Sequence, residues 1–126
     1  KIQDLTHGTS LIEIADKLLQ SKSKTSNTTG SDWWNTAINA LENGCPTTTH
    51  LVYQQLQRGQ DKTLAEIFEM ELNMVMQCVA HPDFREGVRA LLVDKDKNPN
   101  WQHSSIADVP ANWVDEHFEP FDTAQD

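Results

Sequence analysis

The sequence predicts an all-α chain of five principal helices with a short sixth near the C-terminus. Three observations carry that reading. Apolar residues recur at helical spacing through each patterned segment. No segment sustains the period-two alternation of a half-buried strand, so no sheet is expected. Prolines and capping residues stand where such helices would start, and glycines where they would stop.

Residues 1–9 read as a connector. Ser10-Leu11-Ile12-Glu13 is a capping box, and Leu11, Ile14, Ala15, Leu18 and Leu19 form a helical stripe behind it. Residues 21–30 are small and polar and predict a loop. Ser31 or Asp32 caps a second helix, Trp33 to Asn43, with Trp34, Ala37, Ile38 and Leu41 inward and Gly44 as its stop. Of the adjacent Trp33 and Trp34, about 100° apart on a helix, one is core and the other rim or contact surface. Cys45-Pro46 opens a third helix, whose first-turn threonines can take orphan N–H groups, followed by Leu51, Val52, Gln55 and Leu56. Gly59 ends it. Thr63-Leu64-Ala65-Glu66 is a second capping box, and it starts the longest helix, running to about Ala80. Leu64, Ile67, Phe68, Leu72, Val75 and Val79 share one side of that helix. Pro82 and Asp83 suit the first turn of the next, where Phe84, Val88, Leu91 and Leu92 fall on one face before Pro99 stops the run. A last short piece, Ala111 to Phe118, follows Pro110. Beyond Lys97 there is no Lys or Arg, and residues 119–126 read as a solvated acidic tail.

At 126 residues the chain is one domain or less. A net charge of −9 and a pI near 4.8 argue against nucleic acid as a partner, since no basic stripe is present to displace counterions. Cys45 and Cys78 lie far apart, as expected of buried thiols in a reducing compartment. The longest clean apolar run is Ala90–Val93, so no membrane span is expected. Lys1-Ile2-Gln3-Asp4 has neither a signal core nor an arginine-rich transit pattern.

Residues 81–101 are the most informative stretch. Gly87 inside a helix costs roughly 1 kcal/mol against alanine, and the close approach of another backbone would explain it. Lys95 lies eleven residues after Phe84, so a helix that continued that far would return it to the apolar stripe. A lysine there must snorkel or meet an anion. Arg85 and Arg89 share a face beside Lys95 and Lys97. They either complement the helix dipole or form a phosphate site.

The same stretch, Asp83-Phe84-x-Glu86-Gly87-Val88-Arg89-Ala90-x-Leu92-x-Asp94-Lys95-Asp96-x-x-Pro99-x-Trp101, resembles the C-terminal signature of 3-hydroxyisobutyryl-CoA hydrolases. These are a branch of the enoyl-CoA hydratase/isomerase (crotonase) superfamily. The Glu-Gly core is shared widely, and the Asp-Lys-Asp…Pro…Trp extension points to the hydrolase branch. The resemblance continues through Cys45-Pro46-Thr47-Thr48, Gln55-Leu56-Gln57-Arg58-Gly59, Thr63-Leu64 and Glu69-Met70-Glu71, covering about residues 10–118. It implies that the chain is the C-terminal helical layer of a ββα-spiral enzyme. The core that would supply the oxyanion hole and acidic pair lies upstream. It further implies an acyl-CoA substrate from valine breakdown, with CoA entering as part of the substrate and no separate cofactor. In crotonases a lysine near the end of the matching helix reaches the CoA adenosine-phosphate end, sometimes across a subunit boundary. Lys95 is the best match, Lys97 the second, and Arg89 lies beside them. The parent would be cytoplasmic in a bacterium and mitochondrial in a eukaryote.

No catalytic residue is assigned to this chain, which alone is expected to be inactive. Glu71 falls within the apolar stripe and could act as an acid or base, or simply pair with an arginine or cap nearby N–H groups. His7, His50, His81, His103 and His117 show no recognised metal-ligand spacing apart from the weak His81-x-Asp83. Stripes on several helices exceed what a small helical piece can bury, so self-association is expected. Two other readings remain: the tail of an enoyl-CoA hydratase or isomerase, and a non-enzymatic structural module.

Overall fold

The computed structural model describes Gln3, Gly8, residues 10–22 and residues 32–122. Ser31, most of the 1–9 connector and the last residues of the acidic tail therefore lie outside the described residues. Six α-helices and no strand occur among those described, as the periodicity requires. The chain falls into two compact units, Lys1–Gly44 and Cys45–Asp126.

In the first unit, α1 spans Leu11–Ser21 and α2 spans Asp32–Asn43, and the two helices pack together. Ser10 Oγ accepts the Glu13 N–H at 3.3 Å, so the cap forms where the sequence places it. Ala15 and Ile38 are buried, Trp34 and Leu41 are half-buried, and Ala37 faces solvent instead of the interior. Trp34 donates its indole N–H to Ser21 Oγ at 3.1 Å, whereas Trp33 stands out as the rim residue of the pair. A Cβ on Gly44 would lie 2.7 Å from the Ala40 carbonyl oxygen, which explains glycine at that stop.

The second unit contains α3 (Pro46–Gly59), α4 (Leu64–Ala80), α5 (Pro82–Val88), a π-helical turn (Arg89–Val93), a 3₁₀ turn (Ile106–Asp108) and α6 (Ala111–Glu116). Thr63 and Glu66 form a complete capping box: Thr63 Oγ1 accepts from Glu66 N at 3.3 Å, and Glu66 Oε2 accepts from Thr63 N at 2.7 Å. The α3 threonines behave differently from expectation. Thr47 Oγ1 accepts the Trp113 indole N–H at 3.2 Å, and Thr49 donates to the Cys45 carbonyl. Glu71 accepts from the Gln55 side-chain amide at 2.8 Å, so its partner is a glutamine on α3 and not an arginine.

The core of this unit joins Leu51, Met74, Val109 and Val114, with Met70, Cys78, Trp113 and Phe118 packed around them. Met70, Met74 and Cys78 are one face of α4, at the i, i+4, i+8 spacing. The longer apolar stripe of α4 points elsewhere. Leu64, Phe68, Leu72, Val75 and Val79 are 56–68% exposed. Phe84, Leu91, Leu92 and Val93 are exposed as well, and so are Val52 and Leu56 on α3. Helix α4 is thus apolar on two sides, and among the described residues only one of them is covered. No helix among the described residues is long and apolar enough to cross a membrane.

Candidate functional site

The stretch singled out in the sequence folds as α5, the π-helical turn and a loop over residues 94–100. Pro82 begins α5 and His81, in extended conformation, precedes it. Asp83 is buried at the helix start: Oδ1 accepts the Gln102 N–H at 2.7 Å, and Oδ2 accepts the Cys45 thiol at 3.5 Å. Burial pushes the Cys45 and Cys78 thiols above their ordinary range. A Cβ on Gly87 would meet Trp101 Cη2 at 3.3 Å. The close approach inferred from this glycine is therefore that of an indole ring, not of another backbone.

The loop is built on one guanidinium. Arg89 Nε donates to Glu86 Oε2 at 2.9 Å, and Nη2 donates to Glu86 Oε1 at 2.7 Å and to the Asn98 carbonyl at 3.2 Å. Nη1 donates to Asp94 Oδ2 at 2.6 Å and to Asp96 Oδ2 at 2.7 Å. A guanidinium has five N–H donors, so this set uses every one. Glu86 Oε1 also accepts the Asn100 N–H at 2.8 Å, and Asp96 Oδ1 accepts the Asn98 N–H at 2.9 Å. The Arg89 bonds hold the Glu86 carboxyl down to about 2 and lower Asp96, while the carboxylates raise Arg89 in turn.

Within this frame Lys95 and Lys97 have φ of 56° and 54°, the left-handed region that side-chain-bearing residues seldom occupy. Regular helix ends at Val88, and the Asp94 N–H reaches back five residues to the Arg89 carbonyl at 2.8 Å. The Lys97 N–H closes on the Ala90 carbonyl at 3.0 Å. Lys95 therefore does not return to a buried stripe. It is exposed on a loop, because the π turn and the left-handed residue break the 3.6-residue register on which that expectation depended. Lys97 is likewise exposed, and neither lysine is paired with a described carboxylate. Arg89 opens the π turn and Lys95 and Lys97 stand on the loop that follows it, and of the three only the lysines have donors to spare. Glu86, Asp94 and Asp96 were missed as members of the group. Their sequence signal is the Glu86-x-x-Arg89 spacing followed by alternating charge from Asp94 to Lys97.

A second polar cluster lies behind α6. His81 and His117 stack with ring centroids 4.0 Å apart, and Trp113 meets both edge-on. His81 donates Nδ1–H to the Gln77 carbonyl and turns Nε2 towards Glu116 at 3.5 Å. His117, only 2% exposed, donates Nδ1–H to the Trp113 carbonyl at 2.7 Å. Burial lowers the His117 pKa below its ordinary value. An unfolded chain takes up this proton as pH falls past about 6.5. The folded chain does so only at lower pH, so stability is full above that value and is lost as pH falls through the folded-state pKa. An NMR titration of His117 should give a midpoint below 6.5, with the melting temperature falling over the same window. A midpoint at or above the ordinary value would contradict the burial argument. No group of three metal-ligating side chains occurs among the described residues.

The enoyl-CoA hydratase/isomerase family model matches residues 1–118, and the chain belongs to that family, within the crotonase superfamily. It is similar to the mitochondrial 3-hydroxyisobutyryl-CoA hydrolases of Gallus gallus (32% identical over 120 residues) and Dictyostelium discoideum (38% over 91 residues). Those matches cover 95% and 71% of this chain but only 29% and 24% of the relatives. A crystal structure of an enoyl-CoA hydratase from Rhodobacter sphaeroides 2.4.1 superposes with a TM-score of 0.74 at 27% identity, covering 93% of this chain and 32% of that one. The chain thus spans under a third of each of these three proteins.

Proposed function

We propose that this chain is the C-terminal helical part of a CoA-thioester hydrolase acting on 3-hydroxyisobutyryl-CoA or a similar short 3-hydroxyacyl-CoA, in valine breakdown. Its helices cover the acyl pocket and pack against neighbouring subunits, and Lys95 and Lys97 meet the CoA phosphates. The upstream core polarises the thioester carbonyl with backbone N–H groups while water attacks the carbonyl carbon. The carbon–sulfur bond then breaks, leaving a carboxylate and the CoA thiol. The cellular compartment would be the mitochondrial matrix in a eukaryote and the cytoplasm in a bacterium.

The observation that carries the reading is the outward apolar face of α4. Leu64, Phe68, Leu72, Val75 and Val79 form a ready-made contact for a further layer, and relatives about three times as long have the chain to supply one. The hydrolase names of those relatives and the Asp94-Lys95-Asp96…Pro99…Trp101 extension support hydrolysis over hydration. The test is thiol release from 3-hydroxyisobutyryl-CoA. The full-length protein should release CoA, and the 126-residue chain alone should do so no faster than buffer. Turnover by the chain alone, abolished by Glu71→Gln, would overturn the proposal.

A further inference from the structure

We infer that Arg89 is the positioning residue of the CoA-binding loop: it touches no ligand and holds Lys95 and Lys97 in the geometry in which they do. This rests on the CoA-thioester reading above and deepens it. The five N–H donors of Arg89 are all spent on Glu86, Asp94, Asp96 and the Asn98 carbonyl, so none is left for a phosphate. Two of the carboxylates it holds, those of Asp94 and Asp96, alternate along the chain with the two lysines. Both lysines sit in the left-handed region, a conformation that persists only where surrounding contacts impose it. Those contacts are the Arg89 fork, the Asn100 N–H on Glu86 and the Lys97 N–H on the Ala90 carbonyl. Charge points the same way. Three carboxylates around one guanidinium leave the frame net negative, so any attraction for an anion must come from cations outside it, Lys95 and Lys97 on the same loop among them.

The test compares Arg89→Lys, Lys95→Ala and their double variant in the full-length protein. KM is read for the CoA thioester and for the matching pantetheine thioester, which lacks the nucleotide phosphates. Arg89→Lys keeps the charge and loses the fork. It should raise KM for the CoA thioester about tenfold, with kcat kept and the pantetheine KM unmoved, a split that general destabilisation would not produce. The double variant should be no worse than the poorer single variant, because Arg89 acts through the lysines. Fully additive losses would make Arg89 a direct phosphate ligand and overturn the inference. An unchanged KM in Arg89→Lys beside a raised KM in Lys95→Ala would also overturn it. Asp96→Asn, which removes one arm while keeping the volume, repeats the comparison if Arg89→Lys does not fold. Hydrogen exchange at the amides of residues 94–98 separates the clamp from the ligand contact. Faster exchange in Arg89→Lys, with no KM effect from Lys95→Ala or Lys97→Ala, would leave the clamp standing and sink the lysine–phosphate contact. Unchanged exchange would sink the clamp itself.

Discussion

Phe68→Asp in the full-length protein is expected to abolish thiol release and destabilise the fold, while in the isolated chain, kept dilute enough to be monomeric, it leaves the melting temperature nearly unchanged. The difference follows from what covers α4. In the chain alone Phe68 is 61% exposed, and a surface substitution there costs within about 0.5 kcal/mol. Under a protein layer the phenyl group would be buried. Its removal would cost about 3–5 kcal/mol even before an unpaired carboxylate is desolvated. That is a large share of a domain stability of roughly 5–15 kcal/mol. The isolated chain should also self-associate through this surface, giving dimers or larger species by light scattering at micromolar concentration. Phe68→Asp should shift them towards monomer. A full-length protein indifferent to the substitution would mean that this face of α4 meets water there too.

Lys95→Ala is expected to raise KM for the CoA thioester about tenfold to a hundredfold, with kcat largely kept. Phosphate contacts far from the reacting carbonyl bind substrate and transition state alike, and such uniform binding appears in KM. The loss should shrink for a substrate lacking the 3′-phosphate. Lys95→Gly sharpens the test, since glycine takes φ of 56° without the cost of about 1–2 kcal/mol that an L side chain carries there. It should raise the melting temperature and still raise KM. A variant that gains stability while losing affinity cannot be explained by damage to the fold. If Lys97→Ala raises KM and Lys95→Ala does not, the contact is one step further along the loop. If neither matters, the lysines hold no ligand.

The local start and stop chemistry of this chain is written plainly in its residues. The Thr63–Glu66 box forms both of its bonds, Pro46 and Pro82 each begin a helix, and Gly44 stops one. These devices act within one turn of backbone, so sequence suffices to see them. Periodicity is less informative about direction. It groups Leu64, Phe68, Leu72, Val75 and Val79 on one face of α4, yet the core of this chain forms on Met70, Met74 and Cys78. Which apolar face is covered depends on what packs there, and for one face that is not this chain. The Lys95 expectation failed for a related reason. Counting residues along a helix assumes 3.6 per turn, and a π turn followed by a left-handed residue resets the count. That break is fixed by Arg89 binding carboxylates on both sides of the turn, a tertiary event with only a faint trace in the alternating charges. The His81–His117 stack is less legible still, because it joins residues from distant helices.

Parallel assays of the full-length protein, with thiol release followed on 3-hydroxyisobutyryl-CoA and hydration followed on a short 2-enoyl-CoA, separate hydrolysis from hydration. Release of CoA from the 3-hydroxyacyl thioester is expected, with no comparable loss of enoyl absorbance. Hydration of the enoyl substrate without thiol release would contradict it and make this chain the tail of a hydratase. Turnover of neither, by a folded full-length protein, would contradict the enzymatic reading altogether.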